Sequence, residues 1–444
     1  MFNLKKISMM NQSRKIKPIP CPGVCLRGII GIATILLILS ADAVKAQQMM
    51  SIKGILDSIE SGNPSMKMYD ADIRSMNETA KGAKSWMAPE LSTGFFMTPY
   101  NPALWKKSGD INGMGQYSIA GQQMIPNKSR LDAESKYMNA MSTVEAQKKG
   151  ATLNDLYAQA KSAYYAWMIL EKKLAILNQN EKVLNFMIGN AETRYKNGLE
   201  KINAYYKAKA ALGSLQSMRL MLQNDVKQKR ILLNTLMNAK DKMKDYMIDT
   251  TYLVRDYSSY IIDSSLFVNS RSDIKAIEKD IQLTYLKREL ERTKLKPEFG
   301  IRYEHMFGFG GASNLYTLMG MVRIPIAPWS AKMNKANIEG LKWQAISLEA
   351  QKQMVINEST GMAHSALTEI ETKKKQIELF EKNIIPALRR NYQTMQLGYE
   401  QNTEELFELY DAWETLNMTQ LDYLDQLQQL LAMQVELDRT LQIR

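Results

Sequence analysis

The chain has 444 residues, 45% of them hydrophobic and 23% charged, with a formal net charge of +12, two cysteines and two histidines. Neither His305 nor His364 has a partner at metal or triad spacing, so enzyme chemistry built on histidine or cysteine is excluded. Residues 1–46 carry seven basic side chains and one acid, and without them the net charge falls to +6, which removes the case for a nucleic-acid partner.

In chain order, the first segment reads as a secretory signal peptide over 1–46. Basic residues from Lys5 to Arg27 flank the apolar run "GIIGIATILLIL" (28–39), and small residues at Val44 and Ala46 set an expected cut after Ala46. The run is too short for a permanent membrane span. Cys21 and Cys25 both precede it, so the mature chain is expected to hold no disulfide or thiol site. Gln47 stands where a lipoprotein needs cysteine, and no lipid is expected there.

An internal repeat organises the rest. "WMAPELSTGFF" (86–96) is echoed by "KLKPEFGIRYE" (294–304), and "STVEAQKKG" (142–150) by "ISLEAQKQM" (346–354). "YKNGLEKINAYYKA" (195–208) is echoed by "YEQNTEELFELYDA" (399–412) at a shift of 204, which sets Gly198 against Asn402. The expected organisation is a first repeat over 47–240, a link over 241–270 and a second repeat over 271–444. Each repeat reads as helix, two strands, a very long helix, a break and a return helix. The long helices are expected over about 128–196 and 330–398, the return helices over about 203–238 and 404–440. From Leu153 to Ile188 apolar residues recur at alternating spacings of three and four, interrupted by Glu181, as in a coiled-coil seam. At ~1.5 Å per residue each long helix is a rod of roughly 100 Å, and no compact domain of this size needs such rods.

Strands are expected over about 89–98, 115–125, 297–308 and 314–326, lengths that suit a tilted membrane strand. Phe299, Ile301, Tyr303, His305 and Phe307 alternate with Gly300, Arg302, Glu304 and Met306. Tyr316, Leu318, Gly320 and Val322 likewise oppose Thr317, Met319, Met321 and Arg323. Arg302, Glu304 and Arg323 are thus candidates for a barrel lumen. Four strands cannot close a barrel, and open edges are not tolerated in lipid, so several chains must combine. "GFGG" (308–311) leads into another strand rather than a helix, which makes it a hairpin turn rather than a phosphate loop.

These doubled helix–hairpin–helix units, with "PEFG" entering a strand, "IPIAPW" ending one, "EAQ" in the long helix and "DA" past the break, resemble the TolC-type outer-membrane efflux proteins over about residues 50–443. The resemblance implies an α+β membrane protein. Its two helix–β-hairpin–helix repeats would form one third of a trimeric 12-stranded outer-membrane barrel, continued by a helical coiled-coil tunnel through the periplasm. The implied partners are two further copies of the chain, outer-membrane lipid, a periplasmic adaptor and an inner-membrane pump of RND, ABC or MFS type, with no cofactor and no resident metal.

Gly198 and Asn402 are the residue types most at ease with positive φ, so both long helices are expected to reverse there, at the end farthest from the membrane. By the resemblance, Glu408 and Asp411 would form acidic rings at the entrance, with Glu404 beside them, and Tyr399 matches a latch tyrosine. The chain departs from the family where Ala204 replaces an acidic latch partner and Glu404 replaces the latch arginine. Thirty methionines, several in or near the strands, add a reading of copper or silver export, because thioethers are soft ligands. The expected function is a passive exit duct. The alternatives are the outer-membrane part of a protein secretion system and a secreted coiled-coil scaffold or adhesion protein.

Overall fold

The computed structural model describes residues 49–443, apart from 200, 253, 258, 259 and 326. The expected signal peptide, with Cys21 and Cys25, lies outside the described residues. A two-residue strand β1 (Met49–Met50) leads into α1 (Ile52–Gly62) and α2 (Pro64–Lys81). The helix that opens the first repeat is therefore divided in two. Pro64 disfavours helical backbone in the residue before it, and Asn63 is extended at φ −64° and ψ 130°. The Asn63 side chain then accepts from the Ser65 amide at 2.9 Å and starts α2.

The first hairpin is β2 (Glu90–Phe96) and β3 (Gln116–Ile125), followed by α3 (Lys128–Lys196), 69 residues long. Asn127 caps α3 by accepting from the Ser129 amide at 2.9 Å. The chain returns as α4 (Ile202–Leu236), and the link holds strand β4 (Met247–Ile248), parallel to β1, and a short helix α5 (Ser264–Ser270). The second copy follows as α6 (Ser272–Thr293), β5 (Glu298–Gly308), β6 (Leu315–Arg323), α7 (Pro328–Leu379), α8 (Ile385–Glu400) and α9 (Leu406–Leu441). The second long helix, expected over 330–398, is helical from Pro328 to Glu400 but is not α-helical throughout. A π-turn at Phe380–Ile384 divides it, because Pro386 has no amide hydrogen and its ring would clash with the carbonyl one turn back.

Strands β2, β3, β5 and β6 form one antiparallel sheet in the order β2-β3-β5-β6. Its register gives each face a distinct chemistry. Leu91, Phe95, Ile119, Ile301 and Leu318 stand on one face, while Glu90, Gln122, Arg302, Glu304 and Arg323 stand on the other. On the polar face Arg302 pairs with Glu304 at 3.1 Å and Arg323 with Glu298 at 3.3 Å; Glu298 also takes Arg130 at 2.5 Å. An apolar face outside and a charge-paired face inside is the partition a water-filled barrel requires. Both β2 and β6 end the sheet, so three copies joined edge to edge supply twelve strands. No described helix is long and apolar enough to cross a membrane.

Both repeats lock their helix stacks in the same way. Asn63, at the α1–α2 kink, donates to the Leu236 carbonyl at 2.8 Å, which satisfies an orphan acceptor at the end of α4. In the second repeat Arg271, at the α5–α6 kink, donates to Thr440 O at 3.1 Å, and the Gln442 side chain bonds Ser272 at the end of α9. The main core lies at this level and includes Ile59, Trp167, Met168, Leu233, Phe267 and Leu427. Farther down α3, Leu177, Leu184 and Met187 pack on Leu406, Leu409 and Trp413 of α9. Within that core Asn180 donates to Asn417 at 2.6 Å and accepts from Trp413 Nε1 at 2.8 Å, a buried polar contact that fixes the α3–α9 register. Glu181, the acid that interrupts the seam, is tied to Arg219 of α4, and that hydrogen bond holds its carboxyl below the usual range.

The belt at mid-height buries phenols. Tyr164 donates to Asp249 O at 3.0 Å, and Tyr246 packs edge-on to Trp167 at 5.2 Å. Burial pushes each phenol up to about 12. A phenol raised in the folded state contributes stability that is complete below its unfolded value, near 10, and is lost as pH rises from there towards 12. The thermal midpoint of the protein should therefore fall as pH is raised through 10, and fall less steeply in Tyr246→Phe. Identical pH profiles for the two proteins would count against this account.

Candidate functional site

The end of the rods opposite the sheet is built from two copies of one turn. After α3, the Gly198 amide donates to Tyr195 O and the Leu199 amide to Arg194 O, both at 2.9 Å. After α8, the Asn402 amide donates to Tyr399 O at 3.2 Å and the Thr403 amide to Gly398 O at 2.9 Å. Each pair is a Schellman motif, whose pivot residue must be left-handed. The pivots are Gly198 at φ 71° and Asn402 at φ 59°. Glycine adopts this backbone without a Cβ penalty, and asparagine is among the few others that tolerate it.

The two turns meet. Gly198, Lys201, Asn402, Thr403, Glu404 and Arg194 line one hollow of about 430 Å3. Arg194, in the last turn of α3, joins the repeats: its Nη1 donates to Asn402 Oδ1 at 2.6 Å and to Tyr399 O at 3.3 Å. Its guanidinium also lies 4.6 Å from the centre of the Tyr399 ring, a stacked cation–π arrangement. Tyr399 is buried at 2% exposure. Sequence reasoning missed Arg194, because its partners lie more than 200 residues away. The repeat alignment held one signal, since Arg194 falls opposite Gly398 and so differs between the copies.

Past the second turn, α9 buries Leu406, Leu409, Tyr410, Trp413 and Leu416. Glu408 and Asp411 fall on the opposite, exposed stripe, which continues through Thr415 and Met418. On the first return helix the equivalent positions are Ala204 and Lys207, and Lys207 Nζ sits 3.7 Å over the Phe407 ring. The positive charge of α4 is thus drawn on to α9, while the acids face outward. The structure brings Gly198, Asn402, Glu404 and Tyr399 together and sets Glu408 and Asp411 one to two turns along α9. Arg302, Glu304 and Arg323 lie at the far end, on the polar face of the sheet. No group of three or more His, Cys, Asp or Glu able to hold a metal ion occurs among the described residues.

Three comparisons bear on this architecture. Residues 55–239, which take in the first repeat from α1 to the end of α4, match the outer membrane efflux protein family. No curated protein matches by sequence. Among solved structures the chain is similar to CusC at 15% identity and a TM-score of 0.71, over 88% of this chain and 91% of that one. It is similar to VceC of Vibrio cholerae at 14% identity and 0.69, over 88% and 95%. It is also similar to the MtrE outer membrane channel of Neisseria gonorrhoeae in its open state, at 14% identity and 0.68, over 88% of each chain. At such identities the likeness is one of fold. That fold is the protomer of a trimeric outer-membrane channel, one third of a barrel continued by helical rods. Residues 55–239 are thus similar to the outer membrane efflux protein family, and the chain shares the fold of these outer-membrane channels.

Proposed function

We propose that the trimer is the passive exit duct of a tripartite pump, with its periplasmic entrance at the paired turns of Gly198 and Asn402. A periplasmic adaptor docks at this helical end, and an inner-membrane pump of RND, ABC or MFS type supplies the energy. Three copies of Glu408 and of Asp411 face the axis as two carboxylate rings, which attract cations and resist anions. Glu404 contributes at the rim. The cargo class we favour is a soft metal ion, copper or silver, because of the methionines near the strands. The observation that carries the entrance reading is the meeting of the two matched turns at one end of the rods, with an exposed acidic stripe immediately beyond them.

Planar-bilayer recording tests it. Wild-type trimer should conduct with a preference for cations, and Glu408→Ala with Asp411→Ala should lower that preference severalfold while the trimer still assembles. A trimer that carries no current would end the duct reading. A double variant with unchanged ion selectivity would end the acidic-ring reading.

A further inference from the structure

The paired strands sort their apolar side chains by chemistry. Met124, Met306, Met319 and Met321 are the methionines within them, and all four stand on the polar face of the sheet. Leu91, Ile119, Ile125, Ile301, Leu318 and Val322 all stand on the opposite face; the other apolar residues on the polar face are the small Ala120 and, at strand ends, Phe96 and Leu315. Methionine used as apolar filler would share the face of the other apolar residues. Its confinement to the water-side wall points to the sulfur.

Two of these thioether side chains converge. Met124, Gly300 and Met321 are register partners across β3, β5 and β6. A Cβ on Gly300 would lie 2.5 Å from Met124 Sδ and 3.1 Å from Met321 Cε, so both thioether arms reach over the one residue that has no side chain. Met87, just ahead of β2, joins them with Glu90 and Gln122 around a hollow of about 380 Å3.

We propose that Met87, Met124 and Met321 form a binding site for a soft monovalent cation, Cu(I) or Ag(I), on the luminal wall. This rests on the reading of the polar face as the wall of an efflux duct. Thioethers are the soft donors that favour Cu(I) over the hard cations of the medium, and as neutral ligands they leave the ion its charge. Glu90, which lines the hollow, is the carboxylate there to offset that charge. Arg323, at the edge of the hollow, is already tied to Glu298, which it shares with Arg130. Met319 and then Met306 continue along the same face towards the β5–β6 turn, so further thioethers lie ahead of an ion leaving the site. Both cysteines lie ahead of Ala46, so residues 47–444 offer methionine sulfur as their only sulfur ligand.

Equilibrium dialysis of the purified trimer in detergent against silver nitrate reads the site directly. Wild type should retain one Ag(I) per protomer at this site, and Met124→Leu with Met321→Leu, which keeps apolar bulk and removes both sulfurs, should weaken binding about tenfold or more. Gly300→Ala should also weaken it although every sulfur remains, since the new methyl occupies the meeting point. Met97→Leu with Met114→Leu, outside the hollow, should bind as wild type does. Equal silver retention by wild type and the Met124/Met321 variant overturns the site, as does an equal loss in the control pair. Bilayer recording of the same preparations separates the two readings: a trimer that conducts but retains no silver overturns the site and leaves the duct standing, and one that carries no current overturns the duct.

Discussion

Asp438→Ala should destabilise the belt by about 3 kcal/mol, the scale expected when one member of a buried charge pair is removed. Asp438 gathers three parts of the chain. Its carboxylate accepts from Tyr257 Oη at 3.0 Å and from Arg255 Nη1 at 3.1 and 3.2 Å, both in the inter-repeat link, and Lys161 of α3 approaches at 3.5 Å. The side chains of Asp438 and Lys161 are each only 10% exposed. Removing the acid leaves a buried ammonium whose other acceptor is Ile443 O at 3.5 Å. The loss stays near the lower end of the buried-pair range because Asp57 and Glu60 line the same cleft and offer Lys161 a partial substitute. Burial first, and then the Asp438 charge, raises the Tyr257 phenol well above its ordinary value, so Tyr257 remains a donor throughout the neutral range. Heat dissociation of the trimer, followed by gel mobility at one fixed heating rate, should occur several degrees lower in the variant. Asp438→Asn, which keeps an acceptor oxygen, should lose less, and Lys161→Met added to Asp438→Ala should recover part of the loss by removing the uncompensated charge. An unchanged dissociation temperature in Asp438→Ala would rule this account out.

Much of this architecture is local, and local features were legible. The period-two alternation in 299–307 and 316–322 separates the two faces of the sheet before any pairing is known, because successive side chains on a strand must point opposite ways. Gly198 and Asn402 stand out because few residues accept positive φ. Their equivalence followed from the 204-residue shift. What was not legible depends on partners distant in the chain. Asp438 reads as one more acid on a return helix until the link brings Arg255 and Tyr257 against it. Arg194 reads as a routine basic residue near a helix C-terminus, where it would interact favourably with the helix dipole in any protein. Met124 shares a face with Met321 only through β5, so its approach to Gly300 requires the register of three strands. Pro386 was visible, but whether a helix answers a proline by kinking, ending or widening into a π-turn depends on how its neighbours hold it.

Arg194→Ala should raise the conductance of the trimer by releasing the second turn from the first. Within a protomer Arg194 supplies a charge-assisted hydrogen bond to Asn402, a longer one to Tyr399 O and the stacked contact on the Tyr399 ring. A hydrogen bond to a charged group contributes about 1.5–3 kcal/mol, and an exposed cation–π contact adds about 0.5–1 kcal/mol. A total of about 2–4 kcal/mol favours the docked arrangement by a factor on the order of 100, enough to hold an entrance shut and small enough for a docking partner to overcome. Asn402→Gly isolates the hydrogen bond, because glycine keeps the left-handed pivot while the Oδ1 acceptor is lost; its conductance should rise less than that of Arg194→Ala. Asn402→Ala loses the acceptor and also carries a backbone cost of about 1–2 kcal/mol at φ 59°, so it should open further than Asn402→Gly. Arg194→Lys retains the charge but not the planar fork that both bonds and stacks, and it belongs between wild type and Arg194→Ala. The order wild type, Asn402→Gly, Asn402→Ala distinguishes a turn held by its pivot and its acceptor together from one held by charge alone, for which both asparagine variants would conduct alike. If Arg194→Ala conducts as wild type does, the contact between the turns is structural and the entrance is governed elsewhere.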